Sequence, residues 1–81
     1  MNIYFSYQAE NDLSKLPFDM QKRIRDKVRF FMRQTNIFTF AKYIAVKRCY
    51  RLRIGNYRLQ FIIKNQEVKI ISIDPRDKAY D

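Results

Sequence analysis

One segment decides the fold: residues 49–61, which read Cys49-Tyr50-Arg51-Leu52-Arg53-Ile54-Gly55-Asn56-Tyr57-Arg58-Leu59-Gln60-Phe61. Two runs of β-forming residues flank the central dipeptide Gly-Asn, which is typical of a two-residue turn between antiparallel strands. Such a turn fixes the register of both strands. The predicted pairs are Ile54 with Tyr57, Arg53 with Arg58, Leu52 with Leu59, Arg51 with Gln60 and Tyr50 with Phe61.

This register separates the side chains into a polar face and an apolar face, because side chains alternate along a strand. The polar face carries Arg51, Arg53, Arg58 and Gln60. The apolar face carries Tyr50, Leu52, Ile54, Tyr57, Leu59 and Phe61. Two interpretations of the polar face are open. It is a solvated face of an antiparallel sheet, or it binds an anion such as phosphate, which guanidinium groups match in shape and charge.

Length and composition indicate one small domain with a basic surface. The chain has 81 residues, 47% hydrophobic and 16% aromatic, so residues 1–81 are expected to fold as a single domain. Lysine and arginine number 17 against 8 acidic residues, a net charge of +9. This balance favours nucleic acid, an anionic membrane or an acidic protein as the partner.

The missing residue types exclude several classes of site. The sequence has no histidine and a single cysteine, Cys49. A disulfide framework, a Cys/His zinc site and a nucleophile–histidine pair are therefore excluded within one chain. We expect neither a metal nor a cofactor. Because no apolar run has membrane-spanning length and the N-terminus lacks the layout of a signal peptide, we expect a cytoplasmic protein without a membrane partner.

The N-terminal part of the chain predicts a strand and two helices. Residues 2–7 are rich in β formers, and Ser6 offers an N-cap for a helix that ends near Leu16. Pro17 suits the first turn of a second helix that reaches about Gln34. The predicted inward stripe of this helix is Met20, Ile24, Val28 and Phe31.

The C-terminal part predicts further antiparallel strands. Residues 36–41 have no clean period and are expected to form a loop. The stretch 43–46 either begins the first hairpin strand or forms an edge segment before it. A second turn is expected near Asn65-Gln66. If it also has two residues, Ile63 stands opposite Val68, Phe61 opposite Ile70 and Leu59 opposite Ser72. The same register places Ile62, Ile71 and Ile73 on the arginine face.

Together these elements predict an α+β fold. An N-terminal strand and a two-helix hairpin precede a three-stranded antiparallel β-meander, with both helices on one face of the sheet and the arginines on the open face.

In this order and at these lengths, the elements resemble the RelE/ParE superfamily of toxins from bacterial and archaeal toxin–antitoxin systems. The resemblance covers nearly the whole chain. Its features are a helix with Ala9, Leu13 and Leu16, the junction Leu16-Pro17, the run Gln21-Lys22-Arg23-Ile24, the arginine hairpin at 50–58, and Arg76 with Tyr80 near the end.

The resemblance implies two possible activities. RelE-type members cleave mRNA in the ribosomal A site, whereas ParE-type members poison DNA gyrase and lack the full set of catalytic side chains. By resemblance, the roles of the RelE-type active site fall on Arg51, Arg53, Arg58, Arg76 and Tyr80. All five positions are filled suitably, so a ribosome-dependent, metal-independent mRNA endoribonuclease that a cognate antitoxin neutralises is favoured. Further RNA contacts are expected from Lys47, Arg48 and Lys78.

The expected chemistry assigns a part to each of these side chains. Tyr80 is the candidate base for the ribose 2′-OH, while Arg58 and Arg76 hold the phosphate. Arg51 and Arg53 stand where lysine is common, and they stabilise the leaving oxygen. Packing of a terminal aromatic ring on the sheet is the competing interpretation of Tyr80. A ParE-like gyrase poison and a non-toxic RNA-binding relative are the alternatives for the whole protein.

Overall fold

A computed structural model describes residues 2–33 and 40–75, and this part of the chain has the α+β fold that the sequence predicts. Two helices cover one face of a five-stranded sheet. The elements are β1 (Asn2–Phe5), α1 (Tyr7–Ser14), α2 (Phe18–Met32), β2 (Ala41–Ile44), β3 (Cys49–Ile54), β4 (Tyr57–Lys64) and β5 (Glu67–Pro75).

The strands follow the order β1-β5-β4-β3-β2 across the sheet. Strands β2 to β5 form an antiparallel meander, and β1 pairs with β5 in parallel. The meander thus has four strands, because residues 41–44 form a separate edge strand. Amides of Lys47 and Arg48 donate to the carbonyls of Ile44 and Ala45, and these bonds reverse the chain between β2 and β3.

The helices begin where local sequence predicts. Ser6 caps α1, with its Oγ accepting a hydrogen bond from the amide of Ala9 at 3.0 Å. Pro17 precedes the first residue of α2. Ile24 and Val28 of the predicted stripe are buried, whereas Met20 and Phe31 are half-buried and Met32 completes the stripe.

The core lies between the helices and the apolar face of the sheet. Its largest fully buried side chains are Phe61, Leu13, Ile24, Leu52, Leu59, Ile70, Val28 and Val68. Phe61 stacks on Tyr50 of β3, with ring centroids 5.3 Å apart. The apolar face of the arginine hairpin is therefore anchored in the core, and its polar face is directed away from the helices.

Both predicted hairpin turns are present. All five predicted pairs between β3 and β4 are confirmed, and Gly55 adopts a φ of 57°, a value that residues with a Cβ rarely adopt. The second turn lies at Asn65 and Gln66, with φ values of 53° and 62°. It pairs Ile63 with Val68 and Phe61 with Ile70, as expected.

The predicted register fails beyond Phe61. A β-bulge leaves Ile71 as an extra residue, so Leu59 pairs with Ile73 and not with Ser72. Ile73 is consequently buried in the core, and its predicted position on the arginine face is wrong. Of the three isoleucines, Ile62 lies on the predicted face, because Arg58, Gln60 and Ile62 follow one another along β4 at intervals of two residues.

Contacts from α1 stabilise this bulge. Ser6 Oγ donates to the carbonyl of Ile71 at 2.8 Å, and the Ser6 amide donates to the carbonyl of Ile70 at 2.9 Å. Asp12 Oδ2 accepts the amide of Ile73 at 3.0 Å. These bonds give partners to backbone groups at and beside the bulge. The bulge therefore depends on tertiary contacts, which is why a local hairpin rule misses it.

Candidate functional site

The candidate site is the arginine cluster, which we define as Arg51 and Arg53 of β3 with Arg58 of β4. The three side chains share the face of the sheet that lies away from the helices. Arg53 stands directly opposite Arg58, and Arg51 stands opposite Gln60. Directly opposed Cβ atoms lie about 5 Å apart, so the guanidinium groups are close enough to contact a single phosphate.

The three arginines differ in burial. Arg51 is 8% exposed and Arg58 is 6% exposed, whereas Arg53 is exposed. Both buried side chains interact with other groups of the chain. A guanidinium group remains charged when it is buried, so these two positions hold positive charge in a region of reduced solvation. Attraction to an anion is stronger in such a region than in bulk water.

Residues on the two flanking strands extend the site. Lys42 of β2 pairs with Arg51, and Asp74 of β5 pairs with Arg58. A shallow cavity of about 280 Å³ adjoins the cluster, lined by Phe40, Ala41, Lys42, Arg51 and Arg53. Within the described residues, neither Lys42 nor Arg53 forms an ion pair. Their charges are therefore available to an anionic ligand.

Gln60 adds a neutral hydrogen-bond donor to the same face. Its Oε1 accepts a weak hydrogen bond from the buried Cys49 thiol, with Sγ at 3.9 Å. In the part of the chain that the structure describes, Gln60 Nε2 makes no hydrogen bond. The amide is thus oriented with its NH₂ group available beside Arg51, where it can donate to a phosphate oxygen.

Two of these residues were not recognised as site candidates from sequence. Sequence placed Gln60 on the arginine face without assigning it a role. The sequence does not identify Lys42 because it does not fix the boundaries of β2, and only the pairing of β2 with β3 brings Lys42 opposite Arg51. The sequence offers a second indication of this position, because Lys42, like the arginines, has an apolar residue on each side.

The remaining predicted residues lie elsewhere or outside the described residues. Lys47 and Arg48 are exposed in the turn between β2 and β3, at the opposite end of β3 from Arg53. Arg76, Lys78 and Tyr80 fall outside the described ranges, so their predicted roles stay predictions.

A cavity of about 500 Å³ lies away from the arginine cluster. It lies along the outer face of α2 and is lined by Asp19, Lys22, Arg23, Asp26, Lys27 and Phe30. Asp26 forms ion pairs there with Lys22 and Arg29, at 3.3 and 3.2 Å. Because these exposed pairs neutralise part of the charge, the arginine cluster is the better candidate for an anion site.

The described residues were also searched for a metal site and for a membrane-spanning helix. Across residues 2–33 and 40–75, no group of three or more histidine, cysteine, aspartate or glutamate side chains is arranged to hold a metal ion. No helix in these ranges is long and apolar enough to span a membrane.

Comparison with known proteins adds a family and a fold. A family model described as the ParE toxin of type II toxin–antitoxin systems, parDE, matches residues 3–80. No curated protein matches the sequence.

Solved structures of toxin–antitoxin complexes have the same fold. The chain is 24% identical to a chain of the RelBE2 complex from Mycobacterium tuberculosis, with a TM-score of 0.77 and coverage of 93% of this chain and 96% of that chain. For the archaeal RelE–RelB complex from Pyrococcus horikoshii the identity is 20%, the TM-score 0.73 and the coverage 96% and 97%. For the intact RelBE complex from E. coli these values are 19%, 0.74, 99% and 98%.

Proposed function

This chain belongs to the ParE toxin family of type II toxin–antitoxin systems, within the RelE/ParE superfamily, and we propose that it is an mRNA endoribonuclease. In this proposal it cleaves mRNA in the ribosomal A site and is neutralised by a cognate antitoxin in the cytoplasm. The observation that carries the proposal is the arginine cluster, with two arginines less than 10% exposed beside a third that is exposed. Both guanidinium groups keep their charge in a region of reduced solvation, where attraction to a phosphate is stronger than in bulk water.

The chemistry begins with attack of the ribose 2′-oxygen on the adjacent phosphorus. Tyr80, as phenolate, takes the 2′-OH proton, and a new P–O2′ bond forms as the P–O5′ bond breaks. Arg58 and Arg76 stabilise the charge that develops on the phosphate oxygens. Arg51 and Arg53 hydrogen-bond to the departing 5′-oxygen, which takes a proton from solvent. The products are a 2′,3′-cyclic phosphate and a 5′-hydroxyl.

The shape of the site favours a substrate that another molecule presents. The cavity beside the cluster is shallow and small, and its described lining offers charge with few groups that distinguish one base from another. The ribosome would supply the positioning and base stacking that this face lacks.

An antitoxin is the second expected partner. The structural relatives were crystallised as toxin–antitoxin complexes, and the net charge of +9 suits an acidic partner segment. Such a segment would cover the arginine cluster and block RNA at the same time.

Gyrase poisoning is the alternative, and the family match favours it specifically. The matching family model is that of the ParE toxin. In that case the arginine cluster would bind without catalysis, and Tyr80 would be dispensable.

Purified protein added to programmed ribosomes separates the two activities. The wild type is expected to cut mRNA in the A-site codon, while Arg58→Ala and Tyr80→Ala leave it intact. Arg23→Ala is the matched control, because it removes one exposed positive charge from α2, on the other side of the sheet. Intact mRNA with the wild type, together with inhibition of DNA supercoiling by gyrase, would replace the ribonuclease with the gyrase poison.

A further inference from the structure

A second cavity lies on the same open face of the sheet, at the opposite end from Arg53 and Arg58. It has a volume of about 460 Å³ and is lined by Tyr4, Ile62, Lys64, Glu67 and Lys69. The sheet register brings these side chains together, because Tyr4 of β1 pairs with Lys69 of β5 and Lys69 pairs with Ile62 of β4. We call these five residues the Tyr4 pocket.

The Tyr4 pocket combines a flat apolar surface with positive charge. Tyr4 is 50% exposed, and the half-buried Ile62 forms an apolar wall. Lys64 and Lys69 are exposed, and within the described residues neither forms an ion pair. Glu67 stands directly opposite Lys64 in the sheet, and with two lysines the pocket keeps an excess of positive charge. An exposed aromatic ring beside positive charge is an arrangement by which proteins hold a stacked base and its phosphates.

Glu67 gives the pocket a hydrogen-bond acceptor. Tyr4 Oη donates a weak hydrogen bond to Glu67 Oε2 at 3.4 Å. A carboxylate at this position can accept a hydrogen bond from an exocyclic amino group of a base. Its negative charge opposes phosphates and peptide carboxylates alike, so the preference for a nucleotide rests on the exposed Tyr4 ring, on which a base can stack.

The Tyr4 pocket and the arginine cluster are close enough to contact one RNA strand. Ile62 and Arg58 lie four residues apart on β4, and Tyr4 lies two strands away from β4. With ordinary strand dimensions, Tyr4 and Arg58 are roughly 16 Å apart. Gln60 lies between them on the same face, so a strand of a few nucleotides can span both positions without leaving the sheet.

We propose that the Tyr4 pocket binds one nucleotide of a single-stranded RNA, with its base stacked on Tyr4 and its flanking phosphates on Lys64 and Lys69. The choice of RNA as the ligand rests on the proposed function. The pocket itself makes no contribution to bond cleavage. Its role is to fix the direction and register of the strand that crosses the arginine cluster.

The first test measures binding of a fluorescently labelled single-stranded RNA oligonucleotide by anisotropy, without ribosomes. Tyr4→Ala is expected to weaken binding about tenfold, as for loss of one stacked base. Tyr4→Phe retains the ring and is expected to bind within about twofold of the wild type. Tyr7→Ala is the matched control, because Tyr7 is 90% exposed at the start of α1.

The lysines are tested through the salt dependence of the same binding. The double variant Lys64→Ala with Lys69→Ala is expected to reduce the slope of log affinity against log salt by about 1.4, since each lost phosphate contact on a single strand removes about 0.7. Lys15→Ala with Lys27→Ala removes two exposed lysines from the helical side and gives the control for net charge. Equal slopes for the two double variants would overturn the proposal.

The outcomes separate this inference from the ribonuclease. If the wild type cleaves mRNA on ribosomes and Tyr4→Ala binds RNA as tightly as Tyr7→Ala, the inference fails and the ribonuclease stands. If the wild type does not cleave but RNA binding depends on Tyr4, the inference stands and the ribonuclease fails. If Tyr4→Ala weakens binding to the cognate antitoxin and leaves RNA binding unchanged, the pocket is a protein contact and the proposal is overturned.

Discussion

Arg53 and Arg58 stand directly opposite each other on β3 and β4, so two positive charges occupy one cross-strand pair. Such a pair destabilises a sheet. We expect Arg53→Thr to raise the free energy of unfolding by about 0.5 kcal/mol, because threonine removes the repulsion and suits a strand. Urea denaturation at low and high salt measures this, and the gain should shrink as salt screens the charges.

Lys69→Thr is the matched control for this prediction. Lys69 is also exposed on a strand of the open face, but its cross-strand neighbour on β4 is Ile62. Its replacement should therefore stabilise the fold less than Arg53→Thr. If Arg53→Thr is less stable than the wild type at low salt, Arg53 stabilises the fold. That result would contradict the idea that Arg53 destabilises the sheet and serves ligand binding instead.

Asp12 is expected to stabilise the β-bulge that aligns the end of β5. Its Oδ2 accepts the amide of Ile73 at 3.0 Å, and its Oδ1 accepts from Gln8 Nε2 at 2.7 Å. Asp12→Ala should lower the free energy of unfolding by about 2 kcal/mol, because the Ile73 amide loses its acceptor. Asp12→Asn keeps an oxygen acceptor and should cost less than half as much. Urea denaturation compares the two, and equal losses would contradict the assigned hydrogen bond.

Phe61 connects the arginine hairpin to the core. Its side chain is fully buried and stacks on Tyr50. Phe61→Ala should cost about 4 kcal/mol, a large part of the total stability of a domain of this size. Thermal unfolding followed by circular dichroism measures the loss. The same change at Phe18, which is 81% exposed, should leave the transition within about 0.5 kcal/mol of the wild type.

Gln60 is expected to donate from Nε2 to a phosphate oxygen, because the Cys49 thiol contacts its Oε1. Gln60→Ala should lower the rate of mRNA cleavage on ribosomes about tenfold, as for loss of one hydrogen bond to a charged group. Gln60→Glu preserves the shape but places a carboxylate beside the arginines, so it should lower the rate further. Single-turnover rates order the variants, and a Gln60→Glu enzyme as fast as the wild type would exclude this contact.

The parts of the fold that sequence predicts are those that local rules determine. The Gly55-Asn56 turn sets the whole register of β3 and β4. Ser6 caps α1 because its hydroxyl reaches an amide three residues later. These interactions span few residues, so the sequence pattern contains all the information that they need.

The parts that sequence misses depend on contacts between distant residues. The bulge at Ile71 is stabilised by Ser6 and Asp12, each about 60 residues away along the chain. The bulge moves Ile73 into the core and sets Asp74 opposite Arg58. Burial of Arg51 and Arg58 is likewise a result of packing. The alternation of side chains along a strand predicts which face of the sheet each one lies on, but not how much of it is exposed to solvent.

The most direct test of the ribonuclease uses two versions of one mRNA on programmed ribosomes, which differ by a single 2′-deoxynucleotide at the cleaved position. We expect the wild type to cut only the all-ribose mRNA and to leave a 2′,3′-cyclic phosphate, and we expect Arg58→Ala to cut neither. Cleavage of the 2′-deoxy mRNA at the same position would contradict attack by the 2′-oxygen. Failure to cut either mRNA would contradict the ribonuclease itself.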